Sequence, residues 1–455
     1  MRMNPASGGK RLPPAQAETF VSFDGGVVVR AARLRPERYR EVEADLAGQP
    51  RIARGGGYSY AAASFLRDAL VQDMRRFDRI LAFDPEQLTV EVEAGLTVGD
   101  LLSFAVTRGL WLPVVPGYPL ITVGGCVAAC VHGKNPRRHG TFLGHVLALT
   151  LFHPAYGLRR VSPEDLPEVF DLTCGGYGLT GVIETVTLQL TPLTGRFYRV
   201  ERQPIHSLED ALDLLDEEAD HAEYIYSFHD ASPSATFGRG YVTRASMTAD
   251  DPPGRPVRSG HSVLLDARRR AFSPVSVWGG WRTGLIQEIF WRCMASKAVS
   301  RMMPWFDVEF PFAGSPEYFL LYGRRGLVEC QLIVPYDGAR DMARELVAMV
   351  RRLRPDAVMC SLKYFRSEPG LLRFSGDGVC LTIDLARTPA TLHFLPEFDA
   401  LAMQLGAVPN LVKDSRLPRA TVEAAYPSCG EFRRRLAAYD PERLYRSELS
   451  ERLGL

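Results

Sequence analysis

Arg54 to Tyr60 reads RGGGYSY, and Pro116 to Asn135 reads PGYPLITVGGCVAACVHGKN. Three successive glycines present backbone N–H groups with no Cβ between them and a ligand, which is what a loop needs in order to hold an anion such as pyrophosphate. In the second stretch Gly124 and Gly125 open a run of small residues that can present helix N-terminal amides to an anion. Either cluster alone reads equally as a tight turn. Two of them, about 70 residues apart (54 to 124), make a pair of anion-cradling loops.

A third glycine cluster, Gly176 to Gly181, spells GYGLTG and so matches the GxGxxG dinucleotide pattern. That fingerprint works only where a strand enters the glycines and a helix leaves them. Here a helix-like run precedes the cluster and the strand-like Val182 to Leu190 follows it, which argues against a nicotinamide dinucleotide site.

Working outward, Thr89 to Ala94 alternates as a half-buried strand, and Val98 to Thr107 reads as a helix stopped by Gly109. Strand-like runs recur at Val146–Phe152, Arg159–Val161 and Val182–Leu190. In the last of these Val182, Glu184, Val186, Leu188 and Leu190 share one face. A second stretch carries its own strands (Tyr224–Phe228, Leu327–Pro335, Val379–Asp384) and helices (Ala339–Leu353, Glu397–Leu405), and a tail contains the helical run Thr421–Ala425. The pattern is α+β. It predicts an N-terminal flexible arm over 1–18 with folding from near Val21, a first domain over 19–195, a second over 196–405, and a C-terminal segment over 406–455.

The 455 residues carry a formal net charge of +1, without the basic excess that nucleic-acid binding demands. The eight cysteines are scattered with no CxxC pair, as expected in a reducing cytoplasm. Met1 to Pro14 lacks an apolar signal core, and no run reaches the roughly 18 apolar residues of a membrane span. Cys126 and Cys130 lie four apart with His132 nearby, but small buried cysteines on a packed helix explain them better than a metal site, so no metal is expected.

In order along the chain, RGGGYSY, GLTVGDLL, PGYPLITVGGCVAACVHGKN, HGTFLGHVLALTL and CGGYGLTGVIETVTLQLTP resemble the FAD domain of the vanillyl-alcohol oxidase (FAD-binding PCMH-type) superfamily. Within it, VHGKN, GLTG, LKYF, VKDSR and Tyr426-Pro427 are similar to the decaprenylphosphoryl-β-D-ribose 2′-oxidase branch, the flavin half of a 2′-epimerase. The resemblance implies an FAD-binding domain of two α+β subdomains, an α+β substrate domain with an antiparallel sheet capping the flavin ring, and a C-terminal segment that returns Lys413 to that ring. The FAD contacts it implies are Arg54, Gly55, Gly56, Gly57, Tyr58, Ser59, Tyr60, Gly117, Thr122, Gly124, Gly125, Cys126, Ala129, His132, Gly133, Lys134, Asn135, Gly181 and Ile183. Many relatives carry a histidine after the triple glycine that bonds covalently to the flavin. Tyr58 at that position implies non-covalent FAD.

Hydride removal from a secondary alcohol needs the C–H held at the flavin, a group to share the hydroxyl proton, and cations for the developing charge. The resemblance assigns these tasks to Lys413, Tyr60, His132, Lys363 and Gln331, with Lys134, Glu329, Thr382 and Asn410 facing substrate. It implies a CH–OH oxidoreductase acting on a sugar or glycosyl carrier, with a short-chain NAD(P)-dependent reductase as the partner that completes an epimerisation. A soluble sugar, aldonolactone or natural-product intermediate is the alternative substrate, and a non-catalytic FAD-fold scaffold the alternative of another class. Residues 276 to 305 hold four of the five tryptophans, with Arg282, Arg292, Lys297 and Arg301 against Glu288. They read either as a packed aromatic cluster or as a peripheral contact with an anionic membrane.

Overall fold

A computed structural model describes residues 15–44, 46, 48–134, 136–250, 252, 276–313 and 317–455. Met1 to Pro14 and Asn135 lie outside the described residues.

The first sheet contains β1 (Gln16–Val21), β2 (Val28–Leu34), β3 (Arg51–Arg54) and β4 (Leu70–Asp73) in the order β1-β2-β4-β3. β1 and β2 form an antiparallel hairpin, whereas β4 runs parallel to both β2 and β3. The strand start at Gln16 corrects the sequence expectation of an arm to residue 18 and folding from Val21. Gln16, Ala17 and Glu18 bury no large apolar side chain and so give no apolar signal, yet their backbone pairs with Ala31 to Arg33.

Next come β5 (Ile80–Asp84), β6 (Thr89–Glu93), β7 (Leu110–Trp111), β8 (Val146–His153), β9 (Gly157–Val161), β10 (Val182–Gln189) and β11 (Thr191–Pro192). Five of them make the antiparallel sheet β5-β6-β10-β8-β9, and β7 pairs with β11. The helix Val98–Val106 starts on Thr97, whose hydroxyl accepts from the Asp100 amide, and ends before Gly109, which takes φ +70°. The GYGLTG run sits after the helix Pro167–Thr173 and before β10, the reverse of a dinucleotide fold.

The third sheet is built from β12 (Phe197–Ile205), β13 (Tyr224–Asp230), β14 (Gly240–Thr248), β15 (Val299–Pro304), β16 (Leu327–Val334), β17 (Ala357–Phe365), β18 (Gly378–Ala386) and β19 (Val408–Pro409). Its order is β15-β12-β14-β13-β17-β18-β16-β19, antiparallel throughout. β16 and β18 are buried along their whole length because both faces are covered. On one face Val328, Cys330, Leu332, Val379, Leu381 and Ile383 pack with the helices Leu208–Glu218, Ala339–Leu353 and Pro389–Gln404. The period of two sends the intervening residues to the other face.

The helix Pro389–Gln404 begins eight residues before the expected Glu397. Pro396 breaks the sequence pattern there. A proline inside a helix removes one i to i−4 bond, and the carbonyl it frees is that of Leu392, an exposed residue open to water. Thr388 caps the true start, with Pro389 in the first turn, where proline is tolerated.

Beyond Asn410 the chain packs back on the first sheet. Leu411, Leu417, Val422, Phe432 and Leu449 join Ile52, Phe65 and Val71 in one apolar cluster. The Arg51 amide donates to Leu444 O and the Tyr60 amide to Val412 O. All eight cysteines are free, and among the described residues no cluster of ligands suits a metal. No described helix is long and apolar enough to cross a membrane.

The tryptophan-rich segment divides. Trp278 and Trp305 are buried, Trp278 against Tyr318 and Tyr322 and Trp305 against Phe306 and Phe310, whereas Trp281 is 77% exposed. Trp278 is therefore not a surface residue, contrary to the reading of the whole segment as a contact.

Candidate active site

β3 delivers Arg54 to the edge of the first sheet and releases the chain into the glycines. Gly57 takes φ +76°, a left-handed conformation that favours glycine. A Cβ on Gly55 would stand 2.1 Å from Thr122 Oγ1, so the two glycine loops approach backbone to side chain with no room between them. Thr122 caps the helix Val123–Ala129, its hydroxyl accepting from the Gly125 amide at 3.4 Å. Together these loops line an open groove of about 1080 Å³, its solvent-filled mouth included, with Arg54 to Ser59, Thr122, Gly124, Gly125, Ala129, Gly181 and Ile183 in its walls.

The groove suits FAD. Glycine amides and a buried guanidinium meet the demand of a pyrophosphate, while Ile121, Ala128, Val131 and Ile183 give apolar wall to flat rings. Arg54 lies over the Phe20 and Phe65 rings at 5.3 and 5.6 Å and donates to Ser64 Oγ at 2.7 Å. Burial lowers its pKa to about 10, which leaves it cationic at neutral pH.

A second, larger cleft of about 1330 Å³ adjoins the groove. Both are lined by Tyr58, Ile121, Ala129, Val131, Val412 and Lys413, so Tyr58 and Lys413 stand where the two spaces meet. One wall of the cleft is the third sheet, whose alternate residues Glu329 and Gln331 of β16, Met359, Ser361 and Lys363 of β17, and Thr382 and Asp384 of β18 face it. The opposite wall brings Tyr60, Gly117, His132 and Lys134, and the C-terminal return brings Asn410 and Lys413.

A polar chain crosses between the walls. Asn410 Nδ2 donates to Gln331 Oε1 at 2.6 Å, and Gln331 Nε2 donates to Thr382 Oγ1 at 3.0 Å. His132 places Nε2 3.2 Å from Gln331 Oε1 and Nδ1 2.9 Å from Gly133 O. A neutral imidazole carries one N–H and can donate to only one of those oxygens. Burial, with Lys363 nearby, lowers the His132 pKa to about 3, so the ring is neutral and serves as a hydrogen-bonding post.

Lys413 Nζ lies 3.1 Å from Glu329 Oε1 and 4.2 Å from the centre of the Tyr60 ring. Lys363 engages no carboxylate among the described residues, and burial, together with the positive charges of Lys134 and Lys413, lowers its pKa. Lys134 differs. Its ammonium bonds the Glu309 carboxylate at 2.9 Å and the Glu309 carbonyl at 2.7 Å, and the fully buried Glu309 also accepts from Tyr198 at 3.0 Å. A fully buried carboxylate needs such a cation, so Lys134, which lines the cleft, has its ammonium held by Glu309.

Asp384, opposite Glu329 across the β16–β18 ladder, was not anticipated from the sequence. It accepts from Tyr318 Oη at 2.7 Å, and burial with the adjacent Glu329 raises its pKa to about 8. Strand alternation from Thr382 carried the signal. Tyr177 and Gly178, from the rejected GYGLTG, line the cofactor groove after all, through position and not through a dinucleotide turn.

Of the expected flavin contacts, Arg54 to Ser59, Thr122, Gly124, Gly125, Ala129, Gly181 and Ile183 line the groove. Tyr60, Gly117, His132, Gly133 and Lys134 line the adjoining cleft instead. Cys126 lines neither. The helix turns it inward, into the apolar cluster with Val123 and Val127, because it lies three residues beyond Val123 on the same face.

The FAD binding domain family matches residues 40–160 of this chain. The chain is 27% identical over 467 residues to the decaprenylphosphoryl-beta-D-ribose oxidase of Mycolicibacterium smegmatis, covering 98% of this chain and 96% of that one. It is 30% identical over 384 residues to an uncharacterized protein in the mprA 5′ region of Streptomyces coelicolor, covering 79% of this chain and all of that one. A 170-residue stretch is 32% identical to L-gulonolactone oxidase of Mus musculus, 37% of this chain and 38% of that one. With the glycine-lined groove and the facing antiparallel sheet, these matches show that the chain belongs to the vanillyl-alcohol oxidase (FAD-binding PCMH-type) superfamily, as an FAD-dependent oxidoreductase acting on CH–OH groups.

Proposed function

We propose that this protein oxidises a secondary hydroxyl on a sugar carried by a lipid phosphate, as the oxidative half of an epimerisation whose reductive half is supplied by a short-chain NAD(P)-dependent reductase. The observation that carries the reading is the meeting of Lys413, Lys363, His132 and Gln331, from four distant parts of the chain, in the cleft that adjoins the cofactor groove. The near full-length match to an oxidase named for a lipid-phosphate ribose supports the substrate class.

FAD, when bound, supplies the hydride acceptor. The protein's own part is positioning and charge. The Glu329 carboxylate, held by Lys413, accepts from a substrate hydroxyl, and the Asn410–Gln331–Thr382 chain fixes the face of the sugar ring. Lys363 and Lys413 stabilise negative charge on the reacting oxygen. Tyr58 in place of an attachment histidine leaves FAD non-covalently bound, so acid precipitation releases the yellow colour into the supernatant. Flavin retained in the washed pellet would overturn that assignment.

A second reading, a soluble polyol or aldonolactone, draws on the Glu329–Asp384 pair, since Glu329, held by Lys413, and Asp384, whose carboxyl burial keeps protonated up to about pH 8, set a hydrogen-bond acceptor beside a donor for a hydroxyl-rich substrate. Anaerobic stopped-flow reduction of the bound flavin separates the two. Rapid bleaching by a polyprenylphosphoryl pentose and none by L-gulono-1,4-lactone is the expected result; the opposite pattern establishes the second reading.

A further inference from the structure

The helix Gly280–Phe290 carries an apolar stripe on its outside. Trp281, Leu285 and Ile289 follow one another at intervals of four and are 77%, 52% and 54% exposed, with Phe290 beside them at 39%. Four large exposed apolar side chains on eleven residues form a contiguous patch of the kind that marks an interaction surface. Arg282 and Arg292, each three residues from a member of the stripe, are exposed at its two ends, and Lys297 and Arg301 are exposed just beyond. The segment's acid, Glu288, is neutralised by Arg239 at 2.7 Å and Arg292 at 2.5 Å.

Both ends of this helix are joined to the cleft by aromatic rings. At its start Trp278 packs on Tyr318, 5.8 Å between centres, and Tyr318 lines the cleft. At its end Phe290 meets Tyr241 at 6.3 Å, Tyr241 meets Phe228 at 6.1 Å, and Phe228 meets Phe312 at 6.4 Å; the last two line the cleft. Contiguous aromatic packing therefore connects the exposed stripe with the wall of the site.

We propose that the Gly280–Phe290 helix is a docking surface for an anionic lipid bilayer, seating its Trp281–Leu285–Ile289 stripe among the acyl chains and its flanking arginines among the headgroups. A large indole at the interface, apolar neighbours at helical spacing and a basic border are the features that favour this geometry over docking to a protein. The surface rests on and deepens the lipid-carrier reading, because it sets a bilayer against the aromatic residues that pack into the wall of the cleft. Binding to lipid is measured separately from turnover, so each can fail alone.

The test uses the FAD-loaded protein and vesicles of phosphatidylcholine with or without phosphatidylglycerol. Sedimentation with the anionic vesicles at low salt, weakened at high salt and absent with neutral vesicles, is expected. The triple variant Trp281→Ser, Leu285→Ser, Ile289→Ser lowers vesicle partitioning by about tenfold or more while keeping flavin absorbance and melting temperature, because these side chains are already solvent-facing. The variant Arg282→Glu with Lys297→Glu abolishes the preference for anionic lipid without touching the stripe. No sedimentation of the parent, or equal sedimentation of the triple variant, overturns the proposal. So does a lipid-free dimer of the parent that the triple variant loses, since the stripe is then an interface between copies. Vesicle binding with no flavin reduction by a lipid-linked pentose leaves the docking surface standing and removes the substrate reading.

Discussion

The cofactor groove and the catalytic cleft share a boundary yet are built in opposite ways. The groove is lined by loops that lack side chains where space is shortest: a Cβ added at Gly55, Gly56, Gly57 or Gly124 would lie within 3 Å of a neighbouring atom. The cleft is lined by distant segments brought together, among them a sheet face, Tyr58 and Tyr60, the stretch Val115–Lys134, Phe312 and Tyr318, and the C-terminal return, and it holds side-chain charges a few ångströms apart. Backbone recognition tolerates no addition, whereas side-chain chemistry tolerates loss of a group at the expense of rate alone.

That contrast is broken most directly at Gly55. A Cβ there meets Thr122 Oγ1 at 2.1 Å, and Gly55→Val adds two methyl groups to the clash, so the loops must separate. The variant should purify with little or no flavin, read as the ratio of 450 nm to 280 nm absorbance. A normal ratio would show that the loops do not cradle the cofactor.

Lys413→Ala sharpens the comparison from the other side. The variant should keep its flavin, because the groove needs the backbone and not this ammonium, but lose about 10²- to 10³-fold in the rate of substrate-driven flavin reduction. That range corresponds to one charge-stabilising group in a water-poor site. Reduction at the parental rate would place Lys413 outside the chemistry, and loss of flavin would mean that groove and cleft are not separable at this residue.

The smallest effect expected is on stability. Asp384 has its folded-state pKa raised to about 8, so its protonation favours the folded state. That contribution is complete below the ordinary carboxyl value near pH 4 and is lost as pH rises through about 8. Asp384→Asn cannot ionise, so its melting temperature should fall less than the parent's between pH 5 and pH 9, by roughly a degree or two for a chain of this size. Parallel curves would assign any pH dependence to another group of the cleft.

Much of the first region was legible in the sequence. Glycine runs state a local backbone requirement, and RGGGYSY with TVGGC marked both walls of the groove before any contact was known. Strand alternation was equally plain in Val182–Leu190, and Ala339–Leu353 was bounded to the residue. The second region was legible only by resemblance. Both Lys363 and Lys134 line the cleft, yet nothing local tells that Lys134 alone has its ammonium tied to a glutamate 175 positions away. Nothing local separates buried Trp278 from exposed Trp281 three residues on, or tells that Cys126 turns into the core while Ala129 lines the groove.

The sequence by itself determined the glycine loops that line the groove, the α+β class and the polar residue types available to the cleft, because backbone conformation and strand or helix period depend on residues only a few positions apart. Tertiary structure alone decided which polar side chains meet. The period of two offers either face of β16, β17 and β18 to the cleft, and the choice of face was made by the apolar residues that three helices bury on the other side. The same packing brings the chain after Asn410 back to the first sheet, and with it Lys413 to the junction of groove and cleft.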